Sequence, residues 1–242
     1  MALLGKAALA MWWEVEAPHG ADFQHWHSHE HFPERLGIPG FRRASRWRQV
    51  DGGPGVLVTY ELADHSVLSS QPYLDRLNAP TPWSTRMMPL HRHMVRSQCE
   101  VLESRGAYAA GHVMSVRLSP RTPETAEALR AALRGLVEAL PLRPGINGAH
   151  LLRHRPPAIA ATTEQKLRGG DRVADWVLLV SGYDRAVLHA LDQGELSAPA
   201  LDGLGATDIA QGLYELAVSA VPQDLQDVSG VTDPLGCAQA AA

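Results

Sequence analysis

Four of the chain's twelve histidines stand at alternate positions in one short stretch, HWHSHEHFP, residues 25–33. Imidazole titrates near neutral pH, so a histidine can take and return a proton, and it is also a common metal ligand. On a helix, His27 and His31 lie on one face, and His25 and His29 lie on a neighbouring one. The stretch could therefore serve in acid/base catalysis, bind a metal or form a polar surface. The secondary structure of residues 25–33, and which of its faces is buried, distinguishes these roles.

Residues 21–37 are predicted to form one helix that starts at Asp22 as N-cap. Trp26 marks the buried side of this helix. Because His27 and His31 fall beside it, we expect this pair to face inward or toward the rim of a cavity. The other two histidines are expected to face solvent.

The predicted catalytic residues are His31, His27 and Glu30. His31 is the principal general acid/base or the residue that orients the substrate, with His27 in support. Glu30 or Glu34 would hold the second ring nitrogen and raise its basicity. The alternative is that both histidines are hydrogen-bonded residues of the rim with no chemical role.

A metal site is a further alternative. Two histidines four residues apart can chelate a metal but need a third ligand, and the candidates are His91, His93 and Glu61. The spacing in HSHEH differs from that of an HExxH motif. No cofactor is predicted, with haem or a divalent metal kept as alternatives. Haem would need an axial histidine from the second half of the chain: His150, His154 or His189.

Aromatic and cationic residues outside the histidine stretch are candidates for ligand binding. Trp26, Tyr73 and Trp83 could line a pocket for an aromatic molecule, although core packing is the alternative. Arg46, on a predicted strand, could pair with a substrate carboxylate, the alternative being a solvated arginine.

Composition narrows the class of protein. The chain has 242 residues, 45% hydrophobic and 20% charged, which is typical of a globular protein, and its net charge of −4 gives no basic excess for nucleic acid. Cys99 and Cys237 fit no metal spacing or disulfide framework, which favours a reducing cytoplasm. No stretch approaches the roughly 20 apolar residues of a membrane span, and MALLGKAALAMWW is expected to lead into a strand.

The pattern of apolar residues and turns predicts the order strand, helix, strand, strand, helix, strand, twice. The first half has strands at 8–17, 41–50, 56–63 and 95–104, helices at 21–37 and 69–80, and an irregular segment at 81–94. The second half has strands at 112–120, 146–155, 175–184 and 211–221, and helices at 122–140 and 185–194.

Matching segments in the same order suggest that the halves are copies. IPGFRRASRW from residue 38 matches RPGINGAHLL from 143, and VLVTYELAD from 56 matches WVLLVSGYD from 176. The predicted fold is α+β: two tandem ferredoxin-like (β-α-β-β-α-β) repeats, at 8–105 and 111–222, with a tail at 223–242. Their antiparallel sheets are expected to pack into an intrachain pseudo-dimeric α/β barrel with a ligand cavity between the sheets.

The segment FQHWHSHEHFPERLGIPGFRRASRW resembles the first helix and second strand of EthD-like proteins, in the dimeric α/β-barrel superfamily. The shared features are the step His31-Phe32-Pro33 and the turn Pro39-Gly40-Phe41. The resemblance covers residues 8–105 well and the second half only as a degenerate copy, whose helix AEALRAALRGLVEAL has no histidine. It implies a barrel of two ferredoxin-like units and, in this superfamily, cofactor-free monooxygenases, cyclases, decarboxylases or dehydratases.

The predicted function is therefore a cytoplasmic small-molecule enzyme of lyase, isomerase/cyclase or cofactor-free monooxygenase type. Its expected partner is a small organic molecule, for which an aromatic compound is one candidate. Neither nucleic acid nor a membrane is an expected partner. The sequence leaves open whether the protein forms a homodimer. Two alternatives remain: a ligand-binding or structural protein without catalysis, and a haem- or metal-dependent enzyme.

Overall fold

Eight strands close into one antiparallel barrel in the computed structural model, which describes residues 3–227. They are β1 (Ala7–Glu14), β2 (Phe41–Gln49), β3 (Gly55–Leu62), β4 (Arg92–Gly106), β5 (His112–Pro120), β6 (Ile146–His154), β7 (Trp176–Gly182) and β8 (Ala206–Ala220). The order around the barrel is β1-β3-β2-β8-β5-β7-β6-β4, and every neighbouring pair is antiparallel. The α+β class and the antiparallel barrel are confirmed.

The helices lie in the connections between strands. They are α1 (Gly20–Trp26), α2 (Phe32–Leu36), α3 (Gln71–Asn78), α4 (Pro82–Met87), α5 (Ala126–Ala139), α6 (Thr163–Leu167), α7 (Arg185–Gln193) and α8 (Ala198–Gly203). Within residues 3–227, none of them has the length and apolar character needed to cross a bilayer. The greater part of the predicted tail, including Cys237, lies outside the described residues.

Three predicted elements differ from the structure. The single helix at 21–37 is interrupted, as described below. The segment 81–94, expected to be irregular, contains α4, because Pro82 stands in the first turn, where a missing N–H costs nothing, and the Thr81 hydroxyl caps the helix by accepting from the Ser84 amide at 3.0 Å. The last strand begins at Ala206 and not at residue 211.

The barrel interior is packed with side chains. Successive residues of a strand point to opposite faces, so the even-numbered residues of β1 enter the barrel, while Leu9, Met11 and Trp13 face the helices. The predicted cavity between the sheets is therefore wrong: that space holds a buried core that includes Trp12, Trp47, Leu57, Cys99, Tyr108, Val113, Leu152, Val177, Leu179 and Tyr214.

The two halves differ in the layer between sheet and helices. In the second half this layer is apolar, with Leu129, Leu133 and Val137 of α5 packed on the sheet. In the first half, the corresponding layer contains the buried histidines His27 and His31. Any polar site of this kind therefore belongs to the first half.

The Pro-Gly steps before β2 and β6 require glycine. Gly40 has φ +97° and Gly145 has φ +93°, a region that L-residues rarely adopt. A Cβ on Gly40 would lie 2.4 Å from Cγ2 of Val67, and one on Gly145 would lie 2.8 Å from Cγ2 of Val187.

Gly40→Ala and Gly145→Ala are each expected to lower the free energy of unfolding by about 1–3 kcal/mol, from backbone strain and the close Cβ contact. Gly135→Ala is the matched control: it lies in α5, where an added Cβ would meet only open space, and is expected to add about 0.5–1 kcal/mol. Urea unfolding measures all three, and an unchanged midpoint for Gly40→Ala would contradict the account of this turn.

Candidate functional site

The histidine stretch forms a π-helical turn, His27–His31, between α1 and α2. The amide of Phe32 donates to the carbonyl of His27, five residues back. Pro33 is the next residue. It has no N–H to donate, and its ring would clash with the carbonyl of His29, four residues earlier. The regular i to i−4 hydrogen bonds of an α-helix are therefore interrupted here. The extra residue leaves both His27 and His31 on the buried side, and such π turns are frequent at functional sites.

These histidines line a small cavity between the outer face of the β1–β3 sheet and the helices. His91, just before β4, joins His27 and His31 there. The cavity measures about 30 Å³, which is room for one or two waters. Its other polar lining residues are Trp13, Arg35, Tyr60, Tyr73, Arg96, Glu164 and Arg168.

Aromatic side chains hold the imidazoles in place. The ring of His31 lies 4.6 Å from that of Trp26 between centroids, and His27 lies 4.3 Å from Phe32. His91 lies 4.7 Å from Trp13. The two histidines of the π turn are 5.4 Å apart. A planar aromatic ligand would thus meet surfaces that already stack rings.

Several buried polar atoms at this cavity lack a hydrogen-bond partner among the described residues. They include Nδ1 of His27, Nδ1 of His31 and both ring nitrogens of His91. The hydroxyl of Tyr60 and Nη1 of Arg35 are also buried without a hydrogen-bond partner among the described residues. Buried polar groups are almost always paired, so this convergence indicates that a ligand or water completes the site.

Burial keeps the three imidazoles neutral. It lowers the pKa of His27 and of His31 well below the usual range, with further lowering from Arg46 and Arg35 respectively. Burial, followed by the charge of Arg168, lowers the pKa of His91 to about 3. A neutral imidazole has a free lone pair, so each of these rings is a proton acceptor at pH 7.

A buried ion network closes the cavity. Arg35 of α2 pairs with Glu164 of α6, a helix in the β6–β7 connection of the second half. Arg168 lies 3.8 Å from Glu164 and 2.9 Å from Asp171. The amide of Thr163 donates to Oδ1 of Asn78 at 3.1 Å. The second half thus covers the polar site of the first.

Two predicted ligand-binding residues lie at this site. Tyr73 lines the cavity, and its hydroxyl accepts from Nη2 of Arg96 at 2.8 Å. Trp26 stacks on His31 and donates through Nε1 to Glu30 at 3.1 Å and to Ser84 at 3.2 Å.

The structure corrects the expectation that Glu30 or Glu34 orients an imidazole. The carboxylate of Glu30 accepts from Thr81 Oγ1 at 2.6 Å, from Trp26 Nε1 at 3.1 Å and from Ser84 Oγ at 3.3 Å. It therefore ties the π turn to the start of α4. Glu34 pairs with Arg76 at 3.5 Å.

Trp83 and Arg46 do not join the histidines. Trp83 is buried, donates to Oδ1 of Asp22 at 3.3 Å and packs against His25, 5.3 Å between ring centroids. Trp83 does not line the histidine cavity. It also does not line a larger cleft between α1, the β2–β3 hairpin and β8. Arg46 lines that cleft, on the other side of Phe23.

The side chains named for the metal and haem alternatives do not come together as one donor set within residues 3–227. Among residues 3–227, no three His, Cys, Asp or Glu side chains gather as a metal-binding group. The histidine cavity is far too small for a porphyrin. The axial candidates lie elsewhere: His150 is buried against Ser104 at 2.7 Å, His154 accepts from the Gln98 amide at 3.1 Å, and His189 is exposed.

Sequence reasoning missed Arg35, Tyr60 and Glu164 as members of the site. Arg35 carried a usable signal, because it continues the four-residue spacing of His27 and His31. Glu164 carried no such signal, because it lies 129 residues from Arg35 in the second half of the chain. For His91 the sequence indicates only a candidate metal ligand.

Comparisons with known proteins show the fold. No family model matches the chain, and no curated protein matches it. An anthrone oxidase-like protein superposes with a TM-score of 0.60 at 13% identity, covering 91% of this chain and 95% of that one. A candidate monooxygenase from Fusobacterium nucleatum gives 0.58 at 8%, covering 90% and 96%. One from Lactobacillus acidophilus gives 0.53 at 7%, covering 90% and 97%.

The chain shares its fold with these proteins. At 7–13% identity this likeness shows the fold alone.

Glu164→Ala is expected to lower the free energy of unfolding by about 3–5 kcal/mol, because it leaves Arg35 buried without its carboxylate. Glu195→Ala removes the partner of the half-exposed Arg143 and is expected to cost about 1 kcal/mol or less. Urea unfolding of both variants measures the difference, and equal losses would contradict a buried network.

Acidification is expected to destabilise the fold through His27, His31 and His91. Their pKa values are lowered in the folded chain, so below the ordinary value of 6.5 the unfolded chain binds more protons. The stability supplied by the neutral rings is complete above pH 6.5 and is lost as the pH falls toward about 3, the value for His91.

His91→Phe should therefore flatten the dependence of stability on pH by up to about 1.4 kcal/mol per pH unit below pH 6.5. Urea unfolding at several pH values measures the slope, with the exposed His189→Gln as control. A slope that is the same in His91→Phe and the wild type would show that His91 titrates normally.

Proposed function

We propose that the protein is an enzyme acting on a small aromatic molecule, with a neutral imidazole as catalytic base. The observation that carries the proposal is the convergence of unpartnered, buried polar atoms from His27, His31 and His91 on one cavity with aromatic walls. His31 is the principal base, since it stacks on Trp26 and its Nδ1 is free. His27 and His91 support it, and Tyr73 and Trp26 shape the ligand's surroundings.

The proposed chemistry starts with proton abstraction. The base takes a proton from an acidic C–H or O–H of the substrate, and the positive charges of Arg35 and Arg168 beside the cavity favour the resulting substrate anion. That anion could eliminate, rearrange or react with O2, which are the lyase, isomerase and monooxygenase versions of the function. Oxygenation without a cofactor is the version proposed first, because the fold is shared with candidate monooxygenases and an anthrone oxidase-like protein.

We also infer that the chain is a duplicated ferredoxin-like unit of the EthD-like type. Equivalent backbone contacts support the duplication: the amide of Ala63 donates to the Gly40 carbonyl at 2.8 Å, and that of Tyr183 donates to the Gly145 carbonyl at 2.9 Å. After the third strand of each half, an aspartate caps the next helix: Asp64 caps a 3-10 helix at His65–Ser69, and Asp184 caps α7. Such a chain forms from one polypeptide the barrel that simpler relatives would assemble from two.

The small size of the cavity favours a second candidate, a scaffold or ligand carrier without catalysis. At about 30 Å³ the cavity admits no aromatic ring unless α6 and the Arg35–Glu164 pair move aside. The enzyme proposal therefore requires that α6 open, whereas the scaffold candidate does not.

The experiment measures O2 consumption with anthrone, whose methylene carbon would lose two hydrogens and gain one oxygen atom while the other oxygen leaves as water. His31→Gln is expected to lower the rate about 100-fold or more, since it removes the base. The matched control is His29→Gln, a half-exposed ring of the same turn that stacks on His25. Wild-type turnover that survives His31→Gln would contradict the role of His31, and no turnover by the wild type would contradict the oxygenase version.

A further inference from the structure

A second, larger cavity lies beside the histidine site. It is a cleft of about 790 Å³ between α1, the β2–β3 hairpin and β8, and it is open to solvent. Its apolar walls include Val15, Phe23, Val56 and Leu216. Phe23 separates it from the histidines: the Phe23 ring lies 5.2 Å from that of His27, which lines the other cavity. The cleft is large enough for a small organic molecule.

The cleft contains a buried guanidinium with no carboxylate partner. Arg46 is only 7% exposed. Its Nη1 donates to the Gln24 carbonyl at 3.3 Å, its Nη2 donates to Oγ of Ser28 at 3.0 Å, and its Cζ lies 5.7 Å from the centroid of Phe23. All these neighbours are neutral, and no ion pair to Arg46 is found among the side chains that the structure describes. Burial lowers the pKa of Arg46 to about 10, as expected for a poorly compensated charge.

The other two arginines at the cleft are neutralised. Arg48, two residues further along β2, pairs with Glu215, and its side chain is largely exposed. Arg185 pairs with Asp51 at 2.6 Å, and both are exposed. Burying a charge without a counter-charge is costly. Unlike Arg48 and Arg185, Arg46 has no carboxylate partner among the described side chains.

We propose that this cleft binds a small organic carboxylate, with the carboxylate on Arg46 and the apolar body against Phe23, Val15 and Val56. A guanidinium has five N–H donors in a planar fork, of which two are used within the protein, so donors remain for a carboxylate. The site is separate from the histidine cavity and does not depend on the proposed enzyme function.

The test is calorimetric titration with 2-naphthoate and with its neutral analogue 2-naphthamide. Naphthoate is expected to bind about tenfold or more tightly than naphthamide, and Arg46→Gln to weaken naphthoate binding about 10- to 100-fold, the range for a charge-assisted hydrogen bond. Arg48→Gln removes a charge from the same strand and cleft and is expected to change the affinity less than about threefold, because Glu215 already neutralises it.

Arg46→Lys, which keeps the charge, should retain part of the affinity, and thermal unfolding of each variant checks that it is folded. Equal binding of acid and amide, no binding of naphthoate by the wild type, or equal losses in Arg46→Gln and Arg48→Gln would each overturn the proposal. His31→Gln is expected to bind naphthoate like the wild type, so failure here and failure of the histidine base are separate outcomes.

Discussion

The constraint on which the first half depends is the burial of polar side chains against the outer face of β1 and β3. Three imidazoles and the Arg35–Glu164 pair lie in a layer that in the second half is filled by apolar side chains. Aromatic stacking and one buried ion network offset only part of that cost, since several ring nitrogens have no partner among the residues that the structure describes. A chain that carries such groups without using them would be more stable with apolar residues in their place.

The asymmetry of the halves follows from this constraint. The second half packs leucine and valine where the first packs histidine, so its sheet–helix layer is apolar. It also supplies α6, whose Glu164 compensates Arg35 and closes the histidine cavity. One half therefore carries the polar groups, and the other carries the element that shields them from water.

Local sequence patterns were enough to predict part of this arrangement. The four-residue spacing of His27 and His31 beside Trp26 placed the pair on the buried side, and the apolar run at 8–17 predicted the first strand. The step at Gly40 marked the turn before β2, because only glycine adopts its backbone angles easily.

The rest depends on contacts between residues that are distant in the chain. Glu30 bonds to Thr81, 51 residues away, and Glu164 reaches Arg35 from 129 residues away, so neither pairing has a local signal. The predicted cavity between the sheets was wrong because both faces of the strands are apolar, so the sequence does not distinguish the barrel interior from the helix-covered face. The bulk of Trp12, Trp47 and Tyr108 fills the interior and leaves the polar cavity outside it.

The most direct test of the central claim is NMR of nitrogen-labelled histidine across the pH range, with His27, His31 and His91 assigned by substitution. The account predicts that all three rings remain neutral as the pH falls through 6.5, the ordinary pKa at which an exposed imidazole gains a proton. If His27 or His31 instead gains a proton near pH 6.5, the ring is solvated, and the buried neutral base does not exist.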